Sequence, residues 1–153
     1  MHDYLLQVES CRTIREFMLR SCAEIEKLIP FDAAVGIFST IDWRYLEGIG
    51  APESVIASYN NYYRTRQPAY RPGDCQHQDH WGFLFGPTIN WREHQDLAYA
   101  VDFMIPNGLS KTLARAFPGQ PVTLSIQRSR WAQDFTGADV TMLDLLNQHL
   151  NNL

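Results

Sequence analysis

Two pairs of short β-rich runs, each joined by only a few residues, constrain the fold of this chain more than any other feature. Phe31-Asp32-Ala33-Ala34-Val35-Gly36-Ile37-Phe38 is an apolar run suited to a buried strand, and Ile41 to Glu47 alternates as its hairpin partner. Leu109 to Phe117 and Pro121 to Arg128 make a second pair across Pro118-Gly119-Gln120. In the last arm Val122, Leu124 and Ile126 point one way and Thr123, Ser125 and Gln127 the other, because side chains alternate along a strand. Strands joined this tightly run antiparallel, since a parallel pair needs a crossover of about a dozen residues or more. The expectation is an α+β domain: one antiparallel sheet flanked by helices.

Helical periodicity supplies the rest. Tyr4, Val8, Cys11, Ile14, Met18, Cys22, Ile25 and Ile29 recur every three or four residues, so they share one stripe of a long first helix. Pro30, which lacks a backbone donor, ends it. The stripe suits core packing, a dimer seam, or both. Gly48 and Gly50 close the second strand, and Pro52 opens a helix from Glu53 to Arg66 that carries Tyr59, Tyr62 and Tyr63. From Gln67 to His80 prolines and polar residues dictate a long loop, a kind that is often functional. Trp81 to Phe85 follows as a strand end, and Trp91 to Phe103 as a helix before the turn at Pro106-Asn107-Gly108. Thr136-Gly137-Ala138-Asp139 is a capping box opening the final helix. That helix carries one stripe of Val140, Leu143, Asn147 and Leu150 and a second of Met142, Leu145, Leu146, His149 and Leu153, so it calls for two partners.

At 153 residues with 45% apolar content and no low-complexity tract, the chain reads as a single domain, 1–153. The net charge of −4 and 13 scattered basic residues argue against direct nucleic-acid binding, which needs clustered Lys and Arg. Cys11, Cys22 and Cys75 form no even disulfide framework, which fits a reducing cytoplasm. Met1-His2-Asp3-Tyr4 lacks the basic-then-apolar order of a signal peptide, and no run approaches the roughly 20 apolar residues of a membrane span.

Three groups of residues can carry chemistry. Tyr59, Tyr62, Tyr63, Tyr70, Trp81, Phe83, Trp91 and Phe103 surround the loop, and such aromatics build either an ordinary core or a pocket for a small organic ligand. Cys75, His77 and His80 include potential zinc ligands, but they match no familiar zinc spacing and lack a fourth donor, so no metal site or cofactor is assigned. Cys75 with His94, or Ser125 with a histidine, makes a nucleophile only on paper. There is no Gly-x-Ser-x-Gly elbow, phosphate loop or His-Glu-x-x-His run, so a non-catalytic role is expected.

The closing run from Arg128 through Trp131, Phe135, Thr136 and Asp139 to Leu143, Leu146, His149 and Leu150 resembles the end of the sensor domain of LuxR-type transcriptional regulators. The likeness extends back through Leu124-Ser125-Ile126, Phe103-Met104-Ile105-Pro106 and Trp81. The resemblance implies a GAF/PAS-like (profilin-like) autoinducer-binding-type fold with long N- and C-terminal helices. It implies a homodimer, and DNA contact only through a separate helix-turn-helix domain that residues 1–153 do not contain. It also implies ligand-binding roles for Tyr59, Tyr63, Gln67, Trp81 and Ser125, to which the aromatic group around the loop adds Phe83 and Phe103. Where the lactone-binding branch has Asp-Pro, this chain has Gln67-Pro68, a neutral acceptor in place of a charged one, so only a small organic ligand is implied. The expected function is a cytoplasmic small-molecule sensor whose loop orders on binding and whose last helix relays the signal. A ligand-free dimerisation module is the alternative, and a small metal-dependent enzyme stands behind both.

Overall fold

The alternation in the two hairpins closes into a single sheet in the computed structural model, which describes residues 13–39, 44–66, 87–116 and 122–150. Strands β1 (Ala33–Ser39), β2 (Arg44–Ile49), β3 (Thr88–Asn90), β4 (Lys111–Ala116) and β5 (Val122–Arg128) lie in the order β2-β1-β5-β4-β3. Every neighbouring pair is antiparallel. The hairpin β1–β2 and the hairpin β4–β5 join through β1 and β5, with Val35 opposite Ser125. Three helices complete the described fold: α1 (Ile14–Glu26), α2 (Glu53–Asn61) and α3 (Gly137–Leu150).

Period-two alternation assigns each strand residue to one of two faces, and both are covered. On one face Ala34, Leu113, Leu124 and Ile126 pack with Met18, Cys22, Ile25 and Ile29 from the α1 segment and Leu143 and Leu146 from α3. Arg115 of β4 grips Asp144 of α3 with both ends of its guanidinium, fixing the helix across the sheet. On the other face lie α2 and the irregular segment between β3 and β4.

The run that resembles the LuxR-type ending is a clasp. Arg128 leaves the end of β5 and donates through Nε to the Pro30 carbonyl at 2.7 Å and through Nη1 to the Asp134 carbonyl at 3.1 Å. Its guanidinium lies 4.1 Å from the centre of the Phe135 ring and 3.4 Å from the Asp139 carboxylate. Asp139 in turn accepts from the Thr136 backbone N–H at 2.8 Å while its own N–H donates to Thr136 Oγ1 at 3.2 Å. The capping box therefore forms reciprocally, and one arginine ties the start of α3 to the sheet.

Gly50 makes the passage from β2 to α2 possible. Its φ is +73°, and a Cβ there would stand 2.5 Å from the Asp32 carbonyl oxygen, so only glycine fits without displacing backbone.

Several expected elements take a different form. Helix α1 stops at Glu26, capped by the Lys27 N–H, so the chain has left the helix before Pro30 is reached. The helix expected over 53–66 ends at Asn61, and a separate 3₁₀ turn covers Tyr63–Thr65. The helix expected over 91–103 does not form. Asn90 caps a 3₁₀ turn at Trp91–Glu93, and a turn of π-helix follows at Ala100–Met104. The Trp91 backbone N–H donates to the Ser110 carbonyl at 2.9 Å, which pins the segment to the strand end and prevents one continuous helix. Strand β3 was not expected, because three residues are too few to show alternation. In α3 the second stripe divides: Leu146 is buried and Met142 half-buried, but Leu145 faces outward. The first-helix positions Tyr4, Val8 and Cys11, the Gln67–His80 loop and the Trp81–Phe85 strand lie outside the described residues.

Candidate functional site

The candidate site lies on the second face of the sheet and grows from strand register. Ser125 and Gln127 are two residues apart on β5, so they share a face, and Thr112 of β4 stands directly opposite Gln127. All three are buried, at 3%, 3% and 2% exposure. Polar side chains at that depth require partners, and they find one another. Trp91 Nε1–H donates to Thr112 Oγ1 at 2.8 Å, Thr112 Oγ1–H donates to Gln127 Oε1 at 2.5 Å, and Gln127 Nε2–H donates to Ser125 Oγ at 2.6 Å.

Opposite this polar line stands an aromatic wall. The π-helical turn places Tyr99, Ala100, Phe103 and Met104 on the buried side; its Ile105 N–H reaches back five residues to the Ala100 carbonyl at 3.0 Å. Such turns are rare and often sit at functional sites. Phe103 is the centre of the wall. Tyr63 stacks on it at 4.6 Å between ring centres, Tyr99 tilts against it at 5.4 Å, and Tyr59 of α2 lies 6.0 Å away. Trp91 meets Tyr99 edge-on at 5.4 Å, so the wall and the hydrogen-bonded line share Trp91. The Tyr63 hydroxyl is directed to the Asp102 carbonyl at 3.3 Å.

Between wall and sheet is a partly open recess with about 30 Å³ of space open to a water-sized molecule. Val35, Val55, Phe103 and Met104 line it with the polar atoms of Thr112, Ser125 and Gln127, and none of its lining residues is charged. A more open recess, with about 450 Å³ by the same measure, adjoins Arg128, Asp134 and Asp139, whose groups also hold the clasp together.

Of the residues singled out from sequence, Tyr59, Tyr63, Phe103 and Ser125 converge on this face. Gln67, Trp81 and Phe83 lie outside the described residues, as do Cys75, His77, His80 and Tyr70. Tyr62 is half exposed, its ring covered by the Arg66 guanidinium at 3.6 Å. Tyr99, Met104, Thr112 and Gln127 belong to the site and were missed. Gln127 had the legible signal of sharing Ser125's strand parity, whereas Thr112 became a neighbour only once β4 and β5 were in register.

Among the described residues the partner of Ser125 is the Gln127 carboxamide, not a histidine, so no serine–histidine pair is assembled. The same residues contain no group of three His, Cys, Asp or Glu side chains arranged to hold a metal. No described helix is long and apolar enough to cross a membrane.

No protein-family model and no curated protein matches the sequence. Solved structures do match over almost the whole chain. The N-acylhomoserine-lactone-dependent LuxR-family transcription factor CepR2 from Burkholderia cenocepacia is 15% identical, with a TM-score of 0.70 over 99% of this chain and 88% of that one. The VqsR LBD domain from Pseudomonas aeruginosa is 12% identical, with a TM-score of 0.66 over 99% and 90%. The GAF domain of a phosphoenolpyruvate-protein phosphotransferase from Acinetobacter is 11% identical, with a TM-score of 0.61 over 99% and 87%. The α+β fold of this chain is that of LuxR-family sensor domains and of GAF domains.

Proposed function

We propose that this chain is the small-molecule-sensing domain of a LuxR-type transcriptional regulator, acting in the cytoplasm as a homodimer. One observation carries the reading: a buried polar line and the rings of Tyr99 and Phe103 border one uncharged recess, the chemistry of a pocket for a small organic molecule. The shared fold with the lactone-dependent CepR2 supports the same class. The ligand would insert between the sheet and the Tyr59–Phe103 segment, with Tyr59, Tyr63 and Phe103 stacking on it and Ser125 orienting its polar end. Gln67, Trp81 and Phe83 complete the proposed set.

Exposed Leu19 on α1 and Leu145 on α3 give both helices apolar surface for a dimer seam. Relay would run through α3, which Arg115 and Arg128 tie directly to the sheet, toward a helix-turn-helix domain attached elsewhere in the regulator. Ligand shifts such a relay only by its differential affinity for the two states.

The test is a thermal-shift screen against acyl lactones, aromatic acids and nucleotides, repeated on Phe103→Ala. A stabilising compound whose effect disappears in Phe103→Ala supports the pocket. Stabilisation by none of them, with an unchanged dimer by sedimentation, returns the chain to a ligand-free dimerisation module. That second reading has its own observation: the 30 Å³ of the recess holds about one water, well short of the roughly 150 Å³ that admits benzene.

A further inference from the structure

The most exposed large apolar side chain among the described residues is Trp131, 82% accessible where the chain leaves β5 for α3. A bare ring of this size is informative, because its burial against a partner is strongly favourable. The Arg130 guanidinium covers one side of the ring, 4.1 Å from its centre, and forms no ion pair among the described residues. Beside the ring opens the recess of about 450 Å³, with Pro30, Phe31 and Ala132 as its apolar lining and Asp32 and Asp134 as its carboxylates. That volume exceeds the roughly 150 Å³ that admits benzene, so it has room for an indole. Trp131 does not line the recess of its own chain. Asp32 is exposed, and its carboxylate accepts the Ser129 N–H at 2.7 Å but pairs with no cation among the described residues. One corner of the molecule thus holds a bare ring, a space that fits one, an unpaired cation and an unpaired carboxylate.

We propose that this corner is an interface between two copies of the chain, each placing Trp131 in the other's recess and Arg130 against the other's Asp32. It rests on the homodimer of the functional reading and assigns that dimer its anchoring contact. Both halves of the fit lie on one patch, which is what a two-fold interface requires: residue i meets j and j meets i. The patch is also electrically balanced. Lys111, Arg128 and Arg130 offset Asp32, Asp134 and Asp139, so copies of a chain with a net charge of −4 meet here without repulsion. The indole N–H, which can only donate, finds carboxylate acceptors on the recess. Two exchanged rings bury about 300–500 Å² of their own surface and about as much of the walls that receive them. That is less than a permanent dimer buries, so the association is reversible and concentration-dependent.

Sedimentation velocity of the full chain over a concentration series reads the dimer dissociation constant, with the fold of each variant verified by its circular-dichroism spectrum. Trp131→Ala should raise that constant about 100-fold or more, because in a two-fold interface every substitution is made twice. Exchange of charge gives the sharper readout. Arg130→Asp and Asp32→Arg should each sediment as a monomer, since each sets like charges against one another at both contacts. Mixed in equal amounts, the two variants should form a heterodimer, because one original and one exchanged pair of opposite charges then face each other. A merely structural role for either residue would produce no such rescue. A dimer that survives Trp131→Ala but is lost in Leu145→Glu lies on the helix seam, which overturns the inference and leaves the homodimer standing. A mixture that remains monomeric overturns the inference as well. If the unmodified chain sediments as a monomer even at millimolar concentration, the homodimer reading itself falls, and the inference with it.

Discussion

The two faces of the sheet are built from the same five strands yet are chemically unlike. The face under α1 and α3 is mainly aliphatic: Ile25, Ile29, Leu113, Leu124, Ile126, Leu143 and Leu146 fill it, and of its strand charges Arg115 and Arg128 work at the margin to anchor α3. The face under α2 and the π-helical turn holds rings and hydrogen-bonding side chains: Tyr59, Trp91, Tyr99 and Phe103 with Thr112, Ser125 and Gln127. Branched aliphatic chains interlock and exclude one another's voids. Flat rings and directional polar groups fix orientation but leave space between them. One face is made to be stable, and the other to have an inside.

Adjacent residues of β5 test that contrast most severely. Ile126→Ala removes a fully buried side chain from the aliphatic face and should cost about 3–4 kcal/mol in denaturant unfolding. Ser125→Ala, one residue away and on the opposite face, should cost about 1 kcal/mol, the price of one lost acceptor. Equal losses would mean that the two faces are packed alike, and the contrast would break.

An intermediate effect is expected at Thr112→Val. Shape is nearly preserved, but Trp91 loses its acceptor and Gln127 its donor, so about 1–2 kcal/mol should go. The Trp91 indole N–H resonance should move at the same time. An unmoved resonance would show that the line is not held from its tryptophan end.

The smallest effect concerns the aliphatic face and pH. Burial, aided by Glu26, pushes the Cys22 thiol up from 9.0 to about 12. The unfolded chain ionises this thiol first, so its contribution to stability is complete below pH 9 and is lost as pH rises toward 12. Comparing unfolding at pH 8 and pH 10, Cys22→Ala should reduce the alkaline loss by about 1 kcal/mol. An unchanged slope would mean that water reaches this face.

Much of the frame was legible in the residues. The hairpins of Ala33–Ile49 and Lys111–Arg128 follow from alternation and tight connections, and α3 from the Thr136–Asp139 box. The segment between Asn90 and Ser110 was not. Its apolar spacing is that of a helix, but Asn90 capping and the Trp91–Ser110 bond divide it into a 3₁₀ and a π turn. Local propensity is a matter of tenths of a kcal/mol per residue, and a few tertiary bonds override it. Of the aromatic members of the site, Tyr59, Tyr63, Trp91 and Phe103 announced themselves by type, and Tyr99 did not. Thr112 and Gln127 did not, because Thr and Gln in strands are ordinary on a solvated face.

What the sequence determined by itself is the antiparallel sheet, its parity and the aliphatic stripe of one face, since these depend on period and connection length, which are local. Which polar alternants would be buried was decided only by the tertiary structure. Strand parity placed Ser125 and Gln127 together, but it took β4 in register, Trp91 at its end and the π-helical turn above to exclude water from them. Once water is excluded, each donor must find an acceptor within the protein, and Thr112, Ser125 and Gln127 meet that requirement through one another.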